Sequence, residues 1–323
     1  MLSVAGGSQA SLCHYWAAFE PFRAASKGSR PVVLVLPQPL TRRTASALAV
    51  AAGVVVGVAA DSGRIAAAQG RLDAEYVVTL AGIPIGRGNW AIEIAEDQFS
   101  ASASGATTGL LQFFTGAHGT SVSRGTVSGG QLVPTSYVAS INYDRGRADD
   151  VRMALSGGNV KDYSVEPPVK PNPALVPVSD ADRRGVLDPM TASLDRVAGT
   201  GDPLMPEACN RRISVFDGRL RYDVLSEFKR LEAVKADRGY QGPVVVCAVY
   251  FQPISGYVPE RPAIKYLVAL RDAEVWLAPI SGTRVLVPHR FSIPTPIGLG
   301  VLQATQFVSA PRPPRAAAAA KTQ

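Results

Sequence analysis

Trp90-Ala91-Ile92-Glu93-Ile94-Ala95 sets an indole and two isoleucines at every second position, with a carboxylate between the isoleucines. A pleated strand sends successive side chains to opposite faces, so this spacing buries one face and wets the other. The same period continues on both sides. Residues 73–80 put Tyr76 and Val78 on one face, and residues 99–104 form a small, polar strand suited to close neighbours. Further strands are expected over 120–127, 131–141, 151–155 and 161–165, separated by Gly-Gly, Asp-Arg-Gly and Ser-Gly-Gly turns. Short strands with glycine-rich turns predict a mainly β fold. The expected form is a curved antiparallel sheet, or a partly open barrel or sandwich, with one or two short helices packed on it.

Residues 166–177 contain five prolines, which exclude a central strand and predict an extended surface crossing. A helix is then expected from an Asp188 cap, with Pro189 in its first position and Gly199 as its stop. Met190, Leu194 and Val197 would form its apolar stripe. A short helical turn is read over 110–114. The second half resumes as strands over 213–216, 220–228, 244–251, 274–278, 284–293 and 299–308. Asp217-Gly218 signals a two-residue type I′ turn between the first two. The helical spacing of Leu225, Phe228, Leu231 and Val234 is outweighed there by strand parity. Pro84-Ile85-Gly86-Arg87-Gly88 and Pro296-Ile297-Gly298-Leu299-Gly300 echo one another, either as two similar turns or as equivalent hairpins of one sheet.

The N-terminus carries a different signal. Thr41-Arg42-Arg43-Thr44 precedes sixteen uncharged residues, Ala45 to Ala60, and Ala66-Ala67-Ala68-Gln69 follows. A basic segment, a short apolar run and small residues at the cut make a signal-peptide pattern, read as residues 41–68. Cleavage is expected after Ala68, with Ala60 the runner-up. The apolar run is shorter than the roughly 20 residues of a membrane span, so no stable transmembrane span is expected after cleavage. Residues 1–40 lack any period and read as an unstructured extension, possible over-extension of the start included. Residues 69–309 then form a single β-rich domain, and 310–323 a disordered Pro/Ala/Arg tail. The formal charge of +7 shrinks in this frame. Residues 1–68 hold six of the 33 basic and two of the 26 acidic residues, which leaves 27 against 24, a net +3. Nothing in that balance supports a nucleic-acid footprint.

Few residues suggest chemistry. Cys13 departs with the export segment, leaving Cys209 and Cys247 as an even pair in an oxidising compartment. A structural disulfide is expected, with buried thiols or a redox pair as alternatives. His118 and His289 belong to different strand groups, and no metal-ligand spacing or cofactor fingerprint is present. Arg219, Arg221 and Asp223 are read on one strand face, either as a patch for an anionic group or as a solvated face with cross-strand ion pairs. Tyr257 and Arg261 supply an aromatic and a cation on one loop. Trp276, with Phe291 and Pro294, lines an apolar cavity in one reading and ordinary core in the other.

Several motifs occur in order: Ala81-Gly82-Ile83-Pro84-Ile85-Gly86, Gly185-Val186-Leu187-Asp188-Pro189, Cys209 with Cys247, Phe216-Asp217-Gly218-Arg219 with Arg221-Tyr222-Asp223, and Pro294-Thr295-Pro296-Ile297-Gly298. In that set the chain resembles the exported bacterial family catalogued as domain of unknown function 3108, over about residues 73–308. The resemblance implies an envelope protein of Gram-negative bacteria and brings no catalytic residue. The inferred curved sheet is also similar to periplasmic lipoprotein-carrier half-barrels, a likeness of fold alone.

The reading that follows is a periplasmic, non-enzymatic binder of a lipid or other amphipathic ligand, or of an envelope partner. One alternative is an envelope hydrolase or carbohydrate-active enzyme using Asp217 and Asp223, which requires carboxyls about 5–9 Å apart across a cleft. Another is a structural assembly protein joined through a sheet edge. N-terminal sequencing of the native protein should return a chain beginning at Gln69; one beginning at Met1 would defeat the export reading.

Overall fold

The computed structural model describes residues 69–109, 116–144 and 146–311. The expected extension, signal segment, 110–114 turn and tail beyond Pro311 lie outside these residues. The first group of strands is β1 (Gly70–Leu80), β2 (Ile83–Ile94), β3 (Gln98–Thr107), β4 (Ala117–Ser128), β5 (Gln131–Tyr143), β6 (Arg147–Ser156) and β7 (Asn159–Glu166). The second is β8 (Asp195–Arg196), β9 (Arg211–Phe216), β10 (Arg221–Lys235), β11 (Arg238–Gly239), β12 (Gln241–Ser255), β13 (Glu274–Pro279), β14 (Val285–Thr295) and β15 (Gly298–Pro311). All belong to one sheet, in the order β7-β6-β5-β4-β3-β2-β1-β15-β14-β13-β12-β10-β9. The first and last strands join its halves, pairing antiparallel from Gly70↔Pro311 to Leu80↔Gly300.

The sheet is not closed by a continuous ladder, but its edges approach. Residues 184–187 run between them. Arg184 bridges Asn159 of β7 and Leu187 bridges Val215 of β9. The Val186 amide donates to Gly158 O (2.8 Å), Leu187 N to Ser214 O (2.9 Å) and Phe216 N to Leu187 O (3.0 Å). Tyr163 of β7 meets Phe216 of β9 edge to face, with centroids 5.5 Å apart.

Alternation explains which face is packed. Leu72, Ala74, Tyr76, Ile92, Ile94, Phe99, Ala101, Met153 and Leu155 all enter the larger core. Along β12 to β14 both faces are covered. Val244, Val246, Trp276, Ala278, Val285 and Val287 join the larger core. Their sequence neighbours Val245, Cys247, Val275, Leu277 and Leu286 join a second cluster with Val197, Leu204, Ala208 and Cys209. Strands buried on both faces read as unbroken apolar runs, as Val244-Val245-Val246-Cys247-Ala248 does.

The expected helix to Gly199 is much shorter: α1 is Pro189–Ala192. The chain then forms β8, whose Asp195 and Arg196 pair with Leu286 and Val285 of β14. Leu194 belongs to the larger core and Val197 to the second cluster. The apolar stripe therefore serves two faces of the sheet, which a continuous helix could not do. The crossing has room because β14 pairs β15 only over Arg290–Thr295, while Gln306 and Phe307 of β15 pair β11 instead. After crossing, Arg284 holds the strap by donating Nε to Val197 O (3.0 Å) and Nη2 to Ala198 O (2.7 Å).

Cys209 and Cys247 form the expected disulfide, which ties the end of this strap to β12. The longest helix, α2 (Pro262–Ala269), was not anticipated. Its sequence signal is Pro262 at the first position with Ala263 and Ile264 buried behind it. The Asp217-Gly218 turn also differs from expectation. Phe216 pairs with Arg221, so the loop holds four residues, and Asp217 accepts from the Arg219 (2.8 Å) and Leu220 (2.7 Å) amides. The aspartate side chain closes its own turn, an option that competes with the type I′ geometry.

His289 sits where β14 parts from β15. It is 1% exposed, 5.6 Å from the Phe307 ring and 6.4 Å from the Tyr240 ring. Its Nδ1 lies 3.4 Å from Gln303 Nε2, and its buried Nε2 has no partner among the described residues. Burial pushes the imidazole below its ordinary 6.5. The unfolded chain therefore binds a proton before the folded one does, and stability falls as pH drops below 6.5.

Two outcomes are expected. Removing the disulfide as C209A/C247A frees a loop of separation 38, which lowers stability by about 4 kcal/mol in urea unfolding. Replacing His289→Phe removes the loss of stability that wild type shows between pH 6.5 and the lower folded-state value, as read by thermal melts across pH; an unchanged slope would assign that loss to other groups.

Candidate functional site

Antiparallel order gathers the β1–β2, β9–β10 and β14–β15 turns and the β12–β13 connection, which contains α2, at one end of the sheet. The β1–β2 turn has Ala81 at φ 49 and Gly82 at φ 82, a two-residue turn whose twist matches the strands. Beside it, the Ala81 amide donates to Leu299 O (2.9 Å). Gly298 is required there, since a Cβ on it would lie 2.6 Å from the Ala81 Cβ. The two echoing Pro-Ile-Gly segments are thus neighbouring hairpins of one sheet. They leave Ile83 59%, Ile297 62% and Leu299 43% exposed.

Other loops reach the same end. The Thr108 amide donates to Ile85 O (2.9 Å), and the Tyr266 hydroxyl of α2 donates to Pro294 O (3.0 Å). Tyr257 O accepts from Val176 N (2.8 Å), and Gly256 N donates to Val176 O (2.8 Å). The Pro-rich crossing is therefore seated on the Tyr257 loop. Arg261 caps α2. Arg219 lies in the β9–β10 loop, not on the strand face with Arg221 and Asp223, because the four-residue turn delays the strand to Arg221. Its Nη2 donates to Glu166 O (3.2 Å).

The remaining candidates are Arg221, Asp223 and Trp276. Asp223 is 3% exposed and accepts from Arg221 Nη1 (2.6 Å), Arg212 Nη1 (3.3 Å) and Ser214 Oγ (2.9 Å). Its charge is thus committed to Arg212 across on β9 and to Arg221 on its own strand. Trp276 is buried, donates Nε1 to Glu232 Oε2 (3.0 Å), and packs its ring 4.8 Å from the Arg290 guanidinium and 5.5 Å from that of Arg230. Tyr257, Arg261 and Arg219 share an end with Arg221, the first residue of β10, whose guanidinium is turned to Asp223 and Ser214; Trp276 lies apart from them.

Two carboxylates that the sequence did not group, Asp188 and Asp217, both act on Tyr137. Asp188 is fully buried and accepts from Met190 N (3.0 Å), Thr191 N (2.9 Å), Thr191 Oγ1 (2.6 Å) and Ser123 Oγ (3.0 Å). Burial raises its pKa against the pull of those donors. Burial likewise raises Asp217, opposed by the Leu220 and Arg219 amides. Tyr137 is pushed up by burial and by both carboxylates. Each carboxylate has its lone pairs directed at cap or turn donors, an arrangement that holds backbone in place.

Two open grooves lie among the described residues. One of about 400 Å³ crosses β1 to β4 and is lined by Asp73, Glu75, Asn89, Ser102, Ser104 and Thr120 among others. The second, of about 450 Å³, lies between β7 and the 180–184 segment, with Lys161, Tyr163, Asp180, Arg183 and Arg184 on its walls. No helix among the described residues is long and apolar enough to cross a membrane.

No curated protein matches the chain. Among solved structures it is similar to a beta-barrel-like protein of domain of unknown function DUF1849 from Brucella abortus, at 7% identity, covering 75% of this chain and 98% of that one with a TM-score of 0.42. The family described as Protein of unknown function (DUF3108) matches residues 75–305, and the chain belongs to it.

Proposed function

We propose that the protein is an exported, non-enzymatic component of the cell envelope that engages an amphipathic partner, a lipid surface, through the hairpin end of its sheet. The observation that carries this reading is the pair of adjacent turns with exposed Ile83 and Ile297, and Leu299 beside them. Large apolar side chains grouped at turn tips are costly in water and are placed where they meet an apolar phase. No charged residue occurs from Tyr76 to Gly86 or from Phe291 to Ala310, so these tips can leave water without stripping an ion. Exposed Arg87 follows the first tip, and Arg261 stands at the start of α2, whose Val268 is exposed and whose Lys265 pairs with Glu260; Arg87 and Arg261 are cations suited to anionic headgroups.

The interior favours contact at the end over a ligand held within the sheet, because buried side chains and α1 fill the larger core. The same geometry disfavours hydrolysis by Asp217 and Asp223, since both carboxylates are bound to internal donors. Export is supported by the signal pattern and by the Cys209–Cys247 bond, which persists in oxidising compartments.

Flotation with vesicles of phosphatidylethanolamine and phosphatidylglycerol tests the reading. The mature chain should float with the vesicles, and I83D/I297D should weaken partitioning by at least about tenfold, the scale set by burying two such side chains. Equal flotation of a folded double variant would overturn it.

A further inference from the structure

The groove between β7 and residues 180–184 is built from a different observation. Lys161 falls at a bulge of β7, where Ala154 pairs Asp162 and Leu155 pairs Val160, and it lines the groove together with Tyr163. Across the groove stand Asp180, Arg183 and Arg184. The Arg183 guanidinium lies 5.2 Å from the Tyr163 ring centroid and pairs with Asp180. It is thus held between an aromatic face and a carboxylate. The backbone of Arg184 is fixed by its bridge to Asn159 and by donation from its amide to Ala181 O (3.2 Å). The Lys161 ammonium and the Arg184 guanidinium make no ion pair or hydrogen bond among the described residues. Asp182, the other nearby acid, is turned to the amide (2.8 Å) and hydroxyl (2.7 Å) of Ser179.

Three cations therefore face one carboxylate across a cleft of about 450 Å³. Several other cation clusters among the described residues are answered internally. Arg212 and Arg221 meet Asp223, Lys229 and Arg230 meet Glu274, and Arg284 meets carbonyls of the strap. We infer that this groove binds the phosphate group of a small phosphorylated ligand. Two guanidinium forks and an ammonium suit a dianionic tetrahedral group, with the forks giving direction and the ammonium a point charge. The cleft is larger than a free phosphate and leaves space for a polar moiety of glycerol or monosaccharide size. Such a phosphate could be borne by a soluble ester or by a lipid headgroup. The inference does not rest on the apolar hairpin tips, which belong to other loops.

The test uses the mature chain. Amide shifts by NMR are followed on titration with inorganic phosphate and with glycerol 3-phosphate, and vesicle flotation is run with phosphatidylglycerol. Wild type should show saturable shifts confined to β7 and residues 180–184. K161E/R184E should weaken glycerol 3-phosphate by at least about tenfold, while K170E, a single charge reversal on the Pro-rich crossing, should leave it unaltered. Vesicle binding lost together with glycerol 3-phosphate in K161E/R184E supports the site with a lipid headgroup as the source. Vesicle binding retained while glycerol 3-phosphate is lost supports it with a soluble ester. No saturable shift up to about 20 mM phosphate, weaker than any specific site of this charge, overturns the inference. So does equal affinity in a folded K161E/R184E protein.

Discussion

A row of thirteen strands joined side by side ends in two edges of unpaired amides and carbonyls, and the rest of this structure depends on how residues 184–187 meet both. Exposed edges invite pairing with other chains, and native folds cover, shorten or close them. Here the strip has one bridge on each side, at Asn159 and Val215, supported by three backbone hydrogen bonds. That contact brings Tyr163 onto Phe216 and draws the curved sheet around its larger core. It also works against assembly through a sheet edge, because the edges are turned toward one another.

The strip is the start of a strap that holds two faces of the sheet. Asp188 anchors it inside by satisfying the first amides of α1 and the hydroxyls of Thr191 and Ser123, so one carboxylate joins the helix to β4. Burial of that charge is tolerable only because four donors converge on it. The strap then passes β8 at the place where β14 parts from β15, and its outer half ends at the disulfide. His289 occupies the same parting, beside Phe307 and Tyr240. Its buried, unpartnered nitrogen follows from a local break in the ladder where aromatic rings replace polar neighbours.

The sheet itself was legible because alternation is a short-range property. Trp90, Ile92 and Ile94 declare their face within five residues, and the pairing of Cys209 with Cys247 followed from there being no other partner after export. The α1 error has a definite source: Met190, Leu194 and Val197 have helical spacing, yet Leu194 and Val197 are buried on opposite faces of one sheet. Spacing cannot reveal that. The Asp217 turn was misread because the side chain, invisible to a dipeptide rule, supplies two hydrogen bonds of its own. For the site, Arg219, Tyr257 and Arg261 meet through strand order, while Arg221 and Asp223 form a local ion cluster. Lys161 and Arg183 come together only because the edge-to-edge strip folds residues 180–184 against β7.

The motifs by which the sequence resembles its family fall on these closures. Gly185 to Pro189 supplies the strip and the Asp188 anchor, and Phe216 to Arg219 supplies the ring against Tyr163 and the self-closing turn. Arg221 and Asp223 brace β9 against β10 through Ser214, the cysteines tie down the strap, and the two Pro-Ile-Gly segments seat the first hairpin against the last. Each has a physical task in bending a long sheet until its edges meet. The proposed contacts divide accordingly: the apolar tips Ile83 and Ile297 belong to two of these motifs, whereas Lys161 and Arg184 beside the seam lie outside them. On that argument, the motifs bend the sheet and, where two of them seat its first and last hairpins together, set its exposed isoleucines side by side.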